Sequence, residues 1–165
     1  MKLTQELLKE RLKYDPLTGE FTWLVAPKGS WASVGDLAGG HHPKGHRLIG
    51  IFGKPYKAHR LAFLYMTGEF PLEEIDHRDC DPSNNIWDNL RTCSHGENQQ
   101  NKGISKNNSS GAKGVHFHKT NKRWEASVTH LGKQHYLGSY DNLELAELVA
   151  TEARDKYHGQ FARHV

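Results

Sequence analysis

Four residues between Ile75 and Asn101 have the types and the spacing for phosphodiester chemistry. Asp76 and His77 are consecutive, Asn89 follows after eleven residues, and Asn98 after eight more. A carboxylate and an amide oxygen are hard donors that can hold a divalent cation. A neutral imidazole can take a proton from water near pH 7. A second amide can fix that imidazole's tautomer by hydrogen bonding to it. Asp and Asn also favour turns, so a surface loop with a satisfied histidine is the plainer reading. A turn, however, has no need of an Asp-His pair directly after the β-branched Ile75.

Short elements must position these side chains. Leu90-Arg91-Thr92 is strand-like. Ser94-His95-Gly96-Glu97 reads as a capping box, which predicts a helix starting at Ser94 with Asn98 in its first turn. The series Asp76, His77, Asn89, Asn98 resembles the HNH endonuclease motif in the variant whose third letter is Asn. The resemblance implies a ββα-metal core of strand, loop, second strand and helix around one Mg²⁺ or Mn²⁺ ion. It implies Asp76 and Asn98 as metal ligands, His77 as general base, and Asn89 as the residue whose amide orients that histidine.

The 165 residues suit one domain or two small ones, and a hydrophobic content of 36% favours two small cores. The formal charge of +3 suits an anionic partner without proving one. Cys80 and Cys93 give no disulfide framework. Neither belongs to a C-x-x-C pair, so buried thiols are the better reading than a zinc site with His95. No apolar run approaches the roughly 20 residues of a membrane span, and the N-terminal residues lack a signal-peptide core. A cytoplasmic protein with no membrane partner is the expectation.

From the start, Thr4 is a candidate N-cap, with Leu7, Leu8 and Leu12 on one helical face. Asp15 to Gly19 is a turn and Glu20 to Val25 a strand. Ala26 to Lys44 reads as loop, with room for one short strand. A strand over Arg47 to Phe52, a turn at Gly53-Lys54-Pro55 and a strand over Tyr56 to Ala58 lead into a helix from about His59 to Gly68. Lys44, His46, Arg47, Lys54, Lys57 and Arg60 are either DNA contacts or solvated charges on a scaffold. His59 reads as a packing or capping histidine. Residues 1–101 form the expected scaffold and nuclease domain, with the motif at 75–101. Residues 102–111 are an Asn/Ser/Gly-rich flexible linker whose Lys102 and Lys106 could follow a phosphate backbone.

Residues 112–165 read as a second module. Strands are expected over Lys113 to His118, Arg123 to His130 and Gln134 to Gly138. Along the middle one, Trp124, Ala126 and Val128 alternate with Arg123, Glu125, Ser127 and Thr129. A helix capped by Asp141, with Glu144 at its third position, carries Leu143, Ala146, Val149, Ala150, Ala153 and Tyr157 on one face and stops at Gly159. A three-stranded antiparallel sheet packed on one helix follows, and the chain as a whole is α+β. The acids Glu144, Glu147, Glu152 and Asp155 lie on the helix, apart from the sheet's Lys and Arg residues, which favours a sheet face meeting phosphate.

The motifs S-G-x-K-G-V, R-W-x-A, Y-L-G-x-Y and Y-H-G-x-F-A, spanning Ser110 to Ala162, resemble the Apetala-type DNA-binding domain of plant ethylene-response factors and its phage relatives. The resemblance implies that the exposed sheet face enters the major groove through His116, His118, Arg123, Glu125, Ser127, Thr129, Gln134 and Tyr136, with Lys133 adding charge. The plant domain's arginines are replaced here by His116, His118, Thr129 and Gln134. Fewer bidentate guanine contacts remain, so GC-box specificity does not transfer. The expectation is a metal-dependent HNH endonuclease resembling phage homing endonucleases. It acts on double-stranded DNA as a monomer that nicks one strand. A non-catalytic DNA-binding regulator and a nuclease accessory to phage DNA packaging are the alternatives.

Overall fold

The structure is a computed structural model and describes residues 2–101, 103–105 and 107–164. The chain divides into two compact units, Met1–Cys93 and Ser94–Val165.

In the first unit, α1 (Gln5–Arg11) starts where the Thr4 hydroxyl accepts a hydrogen bond from Leu7 N at 3.4 Å. Leu12 was expected on this helix. It instead adopts extended angles and opens β1 (Leu12–Asp15), which pairs antiparallel with β2 (Glu20–Trp23). The strand forms because alternate residues on both partners, Leu12 and Tyr14 against Phe21 and Trp23, are apolar and buried together. A second antiparallel sheet has the order β3 (Gly40–His41), β4 (Arg47–Ile51), β5 (Lys54–Lys57). Its hairpin turns at Phe52-Gly53, both with positive φ, one residue before the expected turn. Pro55 thus lies in edge strand β5, where its missing N–H is tolerated. The helix α2 (Ala58–Thr67) ends at Gly68, whose φ of 90° supplies the left-handed cap. Its residues Leu61, Ala62 and Leu64 join Leu8, Leu12, Phe21 and Ile49 in the core. The strands β6 (Glu74–His77) and β7 (Leu90–Cys93) then pair antiparallel around the motif loop, residues 78–89.

The β1–β2 hairpin braces that loop. Tyr14, its ring stacked on Phe21, donates its hydroxyl hydrogen to the Asn85 carbonyl at 2.7 Å. Trp87 N donates to the Pro16 carbonyl at 3.0 Å. At Gly19, φ is +74° and an added Cβ would collide with the backbone of Asn85 and Ile86.

In the second unit, α3 (His95–Gln100) begins with the expected capping box, Ser94 and Glu97 bonding reciprocally. The unit boundary precedes α3 and does not coincide with residues 102–111. Within the unit, Lys113 Nζ donates to the Gln100 carbonyl at 3.0 Å, which ties the end of α3 to the sheet module. Part of the expected flexible linker is also locally ordered. The Asn108 side chain accepts from Ser110 N and Gly111 N and donates to the Ala112 carbonyl. Lys102 and Lys106 lie outside the described residues. Strands β8 (Val115–His118), β9 (Arg123–His130) and β10 (Lys133–Tyr140) form an antiparallel sheet in the order β10-β9-β8, and α4 (Leu143–His158) packs on it. The cap of α4 is Asn142, whose side chain accepts from Glu144 N at 2.6 Å; the expected cap, Asp141, instead pairs with Arg123. The small core combines Ala146 and Ala150 of α4 with Val115 and Ala126 of the sheet.

The brace on the motif loop yields a stability test. Gly19→Ala should destabilise the protein by about 1–3 kcal/mol, since the methyl group overpacks against backbone. Tyr14→Phe should cost about 1 kcal/mol through the lost hydrogen bond. Urea denaturation of the two variants beside the native chain measures both.

Candidate functional site

Asp76 and His77 end β6, and successive strand residues project to opposite faces. Both are buried, at 6% exposure each. Such burial of two polar side chains requires partners on both faces. On one side, Asp76 is the cross-strand partner of Arg91. Arg91 Nη2 lies 2.7 Å from Asp76 Oδ2, and Arg91 Nε donates to the same oxygen at 2.8 Å.

His77 sits in a cluster of three imidazoles. Its ring centroid is 5.0 Å from that of His59 and 6.1 Å from that of His46, and His46 and His59 are 5.0 Å apart. Burial pushes the His59 pKa down to about 3, helped by the titratable or cationic neighbours His77, His46, Lys57 and Arg60, beside which a further proton is disfavoured. Burial lowers His46 as well, followed by Lys57 and His77. His77 is also lowered, again by burial first; the Asn85 amide and the carboxylates of Asp79, Asp76 and Asp81 oppose the shift. Its imidazole is therefore held in the neutral, proton-accepting form. His59 is the packing histidine expected from the sequence, but its packing partner is His77. His46, grouped with possible DNA contacts, is also placed here. No spacing rule joins positions 46, 59 and 77, so this cluster was not legible in the sequence.

Asn89 ends a 3-10 turn, and its amide spans the loop. Its Oδ1 accepts from Asp79 N at 3.0 Å, and its Nδ2 donates to Asp79 Oδ1 and the Asn84 carbonyl, both at 2.9 Å. These bonds fix the residues that directly follow His77. The amide that adjoins His77 is that of Asn85, which is buried and anchored through Tyr14. Two of the basic residues read as DNA contacts or scaffold charges serve the scaffold. Arg47 donates to the carbonyls of Ala38 and Gly39, and Arg60 to that of Pro71. Cys80 and Cys93 form no disulfide.

The second unit carries Asn98 in the first turn of α3, where its backbone N donates to the Ser94 carbonyl at 3.0 Å. Register places His116 opposite Glu125, His118 opposite Arg123, Ser127 opposite Tyr136 and Thr129 opposite Gln134, so these eight residues share one sheet face. Lys133 pairs with His130 at the hairpin end, out of phase with that face. Several of the face's polar groups are engaged with one another. His116 lies 3.2 Å from Glu125, and Gln134 donates to the Ser127 hydroxyl at 3.0 Å. Arg123 meets Asp141 at 2.8 and 3.0 Å. The Arg123–Asp141 pair is exposed, so it is weak enough for a phosphate to compete.

Among the described residues, no group of three or more His, Cys, Asp or Glu side chains is arranged to hold a metal ion. Mg²⁺ needs no such cage, since it keeps several waters and takes one or two carboxylates plus substrate phosphate. Asp76 carries a carboxylate and Asn98 an amide oxygen, each a donor of the type such an ion takes. No helix among the described residues is long and apolar enough to cross a membrane.

The imidazole cluster predicts a pH dependence of stability. His59 titrates at about 3 when folded, below its ordinary 6.5. Its contribution is present in full above 6.5 and is lost progressively as pH falls from 6.5 toward 3, because the unfolded chain takes up the proton first. At pH 5 this amounts to about 2 kcal/mol. A His59→Leu protein should therefore lose less stability than the native chain between pH 7 and pH 5, measured by urea denaturation at both pH values.

Residues 56–100, from β5 to the end of α3, match the family model for HNH endonuclease. Protein 3.8 of Escherichia phage T7 is 43% identical over 89 residues, covering 54% of this chain and 73% of that protein. A solved structure titled "DNA binding and cleavage by the HNH homing endonuclease I-HmuI" aligns at 20% identity with a TM-score of 0.43, over 90% of this chain and 85% of that one. A score that low carries no weight for the arrangement of the fold. The identity across most of Protein 3.8 makes that phage protein a relative of this chain, whose residues 56–100 form an HNH endonuclease domain.

Proposed function

We propose that the chain is a metal-dependent HNH endonuclease of the phage homing type, with a ββα-metal core, that hydrolyses a phosphodiester of duplex DNA. The observation that carries this reading is the pairing, at the end of β6, of a buried carboxylate with a buried histidine kept neutral. Asp76 and Asn98 would hold Mg²⁺ or Mn²⁺. When bound, the ion polarises the phosphate and stabilises charge on the leaving oxygen. His77 accepts a proton from water, the resulting hydroxide attacks phosphorus, and the P–O3′ bond breaks. Asn89 keeps Arg78 and Asp79 in place beside the base, and Asn85 borders its ring. The HNH motif has few residues with which to read sequence. The reader in this proposal is the C-terminal sheet, an Apetala-type module presenting His116, His118, Arg123, Glu125, Ser127, Thr129, Gln134 and Tyr136, with Lys133 at its edge.

One motif set per chain makes one in-line displacement per bound protein, so a monomer nicks one strand. With a supercoiled plasmid bearing a target, open circles should accumulate in Mg²⁺ or Mn²⁺ and not in EDTA. His77→Ala should slow nicking about 10²–10⁴-fold. Undiminished nicking by His77→Ala would reject the general base. Immediate linearisation without open circles would reject the monomer.

The sheet-face reading is checked by affinity in the inactive His77→Ala chain. Arg123→Ala with Lys133→Ala should weaken duplex binding at low salt and flatten its salt dependence, because fewer counterions are released. Fluorescence anisotropy across a salt series measures both effects, and an unchanged affinity would remove the sheet face from the interface.

A further inference from the structure

We propose that Arg91 is a resident counter-ion for Asp76, one that holds the carboxylate in the metal-free protein and weakens its grip on a divalent ion. The inference rests on the reading of Asp76 as a metal ligand. Asp76 and Arg91 face each other across the β6–β7 ladder, and their side chains are 6% and 8% exposed. Two guanidinium contacts, Nη2 at 2.7 Å and Nε at 2.8 Å, fall on Oδ2. A carboxylate buried this far is strongly destabilising without a cation beside it. A metal ligand needs such a cation most when no metal is present, and Arg91 supplies it from the scaffold itself.

The same charge acts against the ion. A divalent cation arriving at Asp76 meets a carboxylate already shared with a monovalent one, and the two cations repel across a few ångströms of poorly screened interior. The free protein therefore binds the ion weakly. Substrate phosphate supplies the negative charge that offsets the repulsion, so firm ion binding is coupled to DNA binding. Arg91 is a positioning residue in this scheme; it touches Asp76 and not the reacting atoms.

The test is Mn²⁺ binding to the full chain without DNA, read by the electron paramagnetic resonance signal of free Mn²⁺, with thermal melting measured alongside. Arg91→Gln should melt lower than the native chain without metal and bind Mn²⁺ about tenfold more tightly or better, as removal of one interior charge implies. Added Mn²⁺ should raise its melting temperature more than that of the native chain. Arg91→Lys, which keeps the charge, should stay close to native affinity. Unchanged or weaker Mn²⁺ binding by a folded Arg91→Gln protein would overturn the proposal. If Arg91→Gln is unfolded without metal, circular dichroism during Mn²⁺ addition decides: recovery of the native signal supports the counter-ion role, and no recovery at saturating Mn²⁺ overturns it. Asp76→Asn separates the two layers. Native-like Mn²⁺ affinity in Asp76→Asn would remove Asp76 as a ligand and Arg91's role with it. Lost affinity there, with Arg91→Gln unchanged, would reject only the counter-ion.

Discussion

The motif loop depends on hydrogen bonds, because it has almost nothing else to fold on. Between His77 and Leu90 the chain supplies only Ile86 and Trp87 as sizeable apolar side chains. Polar atoms close it instead. Asn89 grips Asp79 and Asn84, and Asn84 Nδ2 donates to Asp79 Oδ2 at 2.6 Å. Asp81 accepts from the backbone and hydroxyl of Ser83. Such a network is stable only if every member is satisfied and its outer edge is fixed. The fixed edge is the β1–β2 hairpin, through the Tyr14 hydroxyl and the close approach of Gly19. The N-terminal residues are thus part of what shapes the site.

The strand β6 departs from ordinary strand chemistry in a telling way. A strand buried on both faces is expected to be aliphatic throughout, yet this one ends in Asp76 and His77, both buried. Each polar face has its own remedy. A guanidinium compensates the carboxylate, and two further imidazoles keep the histidine in a desolvated and uncharged setting. Local rules broken with such specific compensation are expected at functional sites. The two remedies also differ in kind, since Arg91 compensates Asp76 by charge whereas burial favours the neutral form of the imidazoles.

The C-terminal module relies on close packing of small residues. Ala126 of β9 meets Ala146 and Ala150 of α4, with Trp124 and Leu143 closing the edges. Opposite this thin core the strand register lines up eight side chains, all polar except for the exposed ring of Tyr136. The buried Arg154 and His158 continue the helix's inward stripe after Ala146 and Ala150. Arg154 donates to the Lys113 carbonyl and the Thr151 hydroxyl, and His158 pairs with the Thr129 carbonyl at 2.8 Å. Polar residues can occupy such a stripe when backbone carbonyls await them.

The sequence determined the local features: the capping box at Ser94 and Glu97, the alternation along β9, the glycine stop after α2, and the consecutive Asp76 and His77. Each follows from periodicity or from one residue's conformational preference, so neighbours in the chain suffice to specify it. It misplaced features settled by competition between nearby choices. Leu12 left the helix for a strand because Trp23 was available across the ladder, and Asn142 capped α4 because Asp141 had Arg123 to pair with. Only the tertiary structure decided who surrounds the candidate base and the candidate ligand. His46, His59 and His77 come from three separate elements, and Arg91 reaches Asp76 only through the register of β6 on β7. Such contacts depend on how elements pack, and a linear spacing does not encode them.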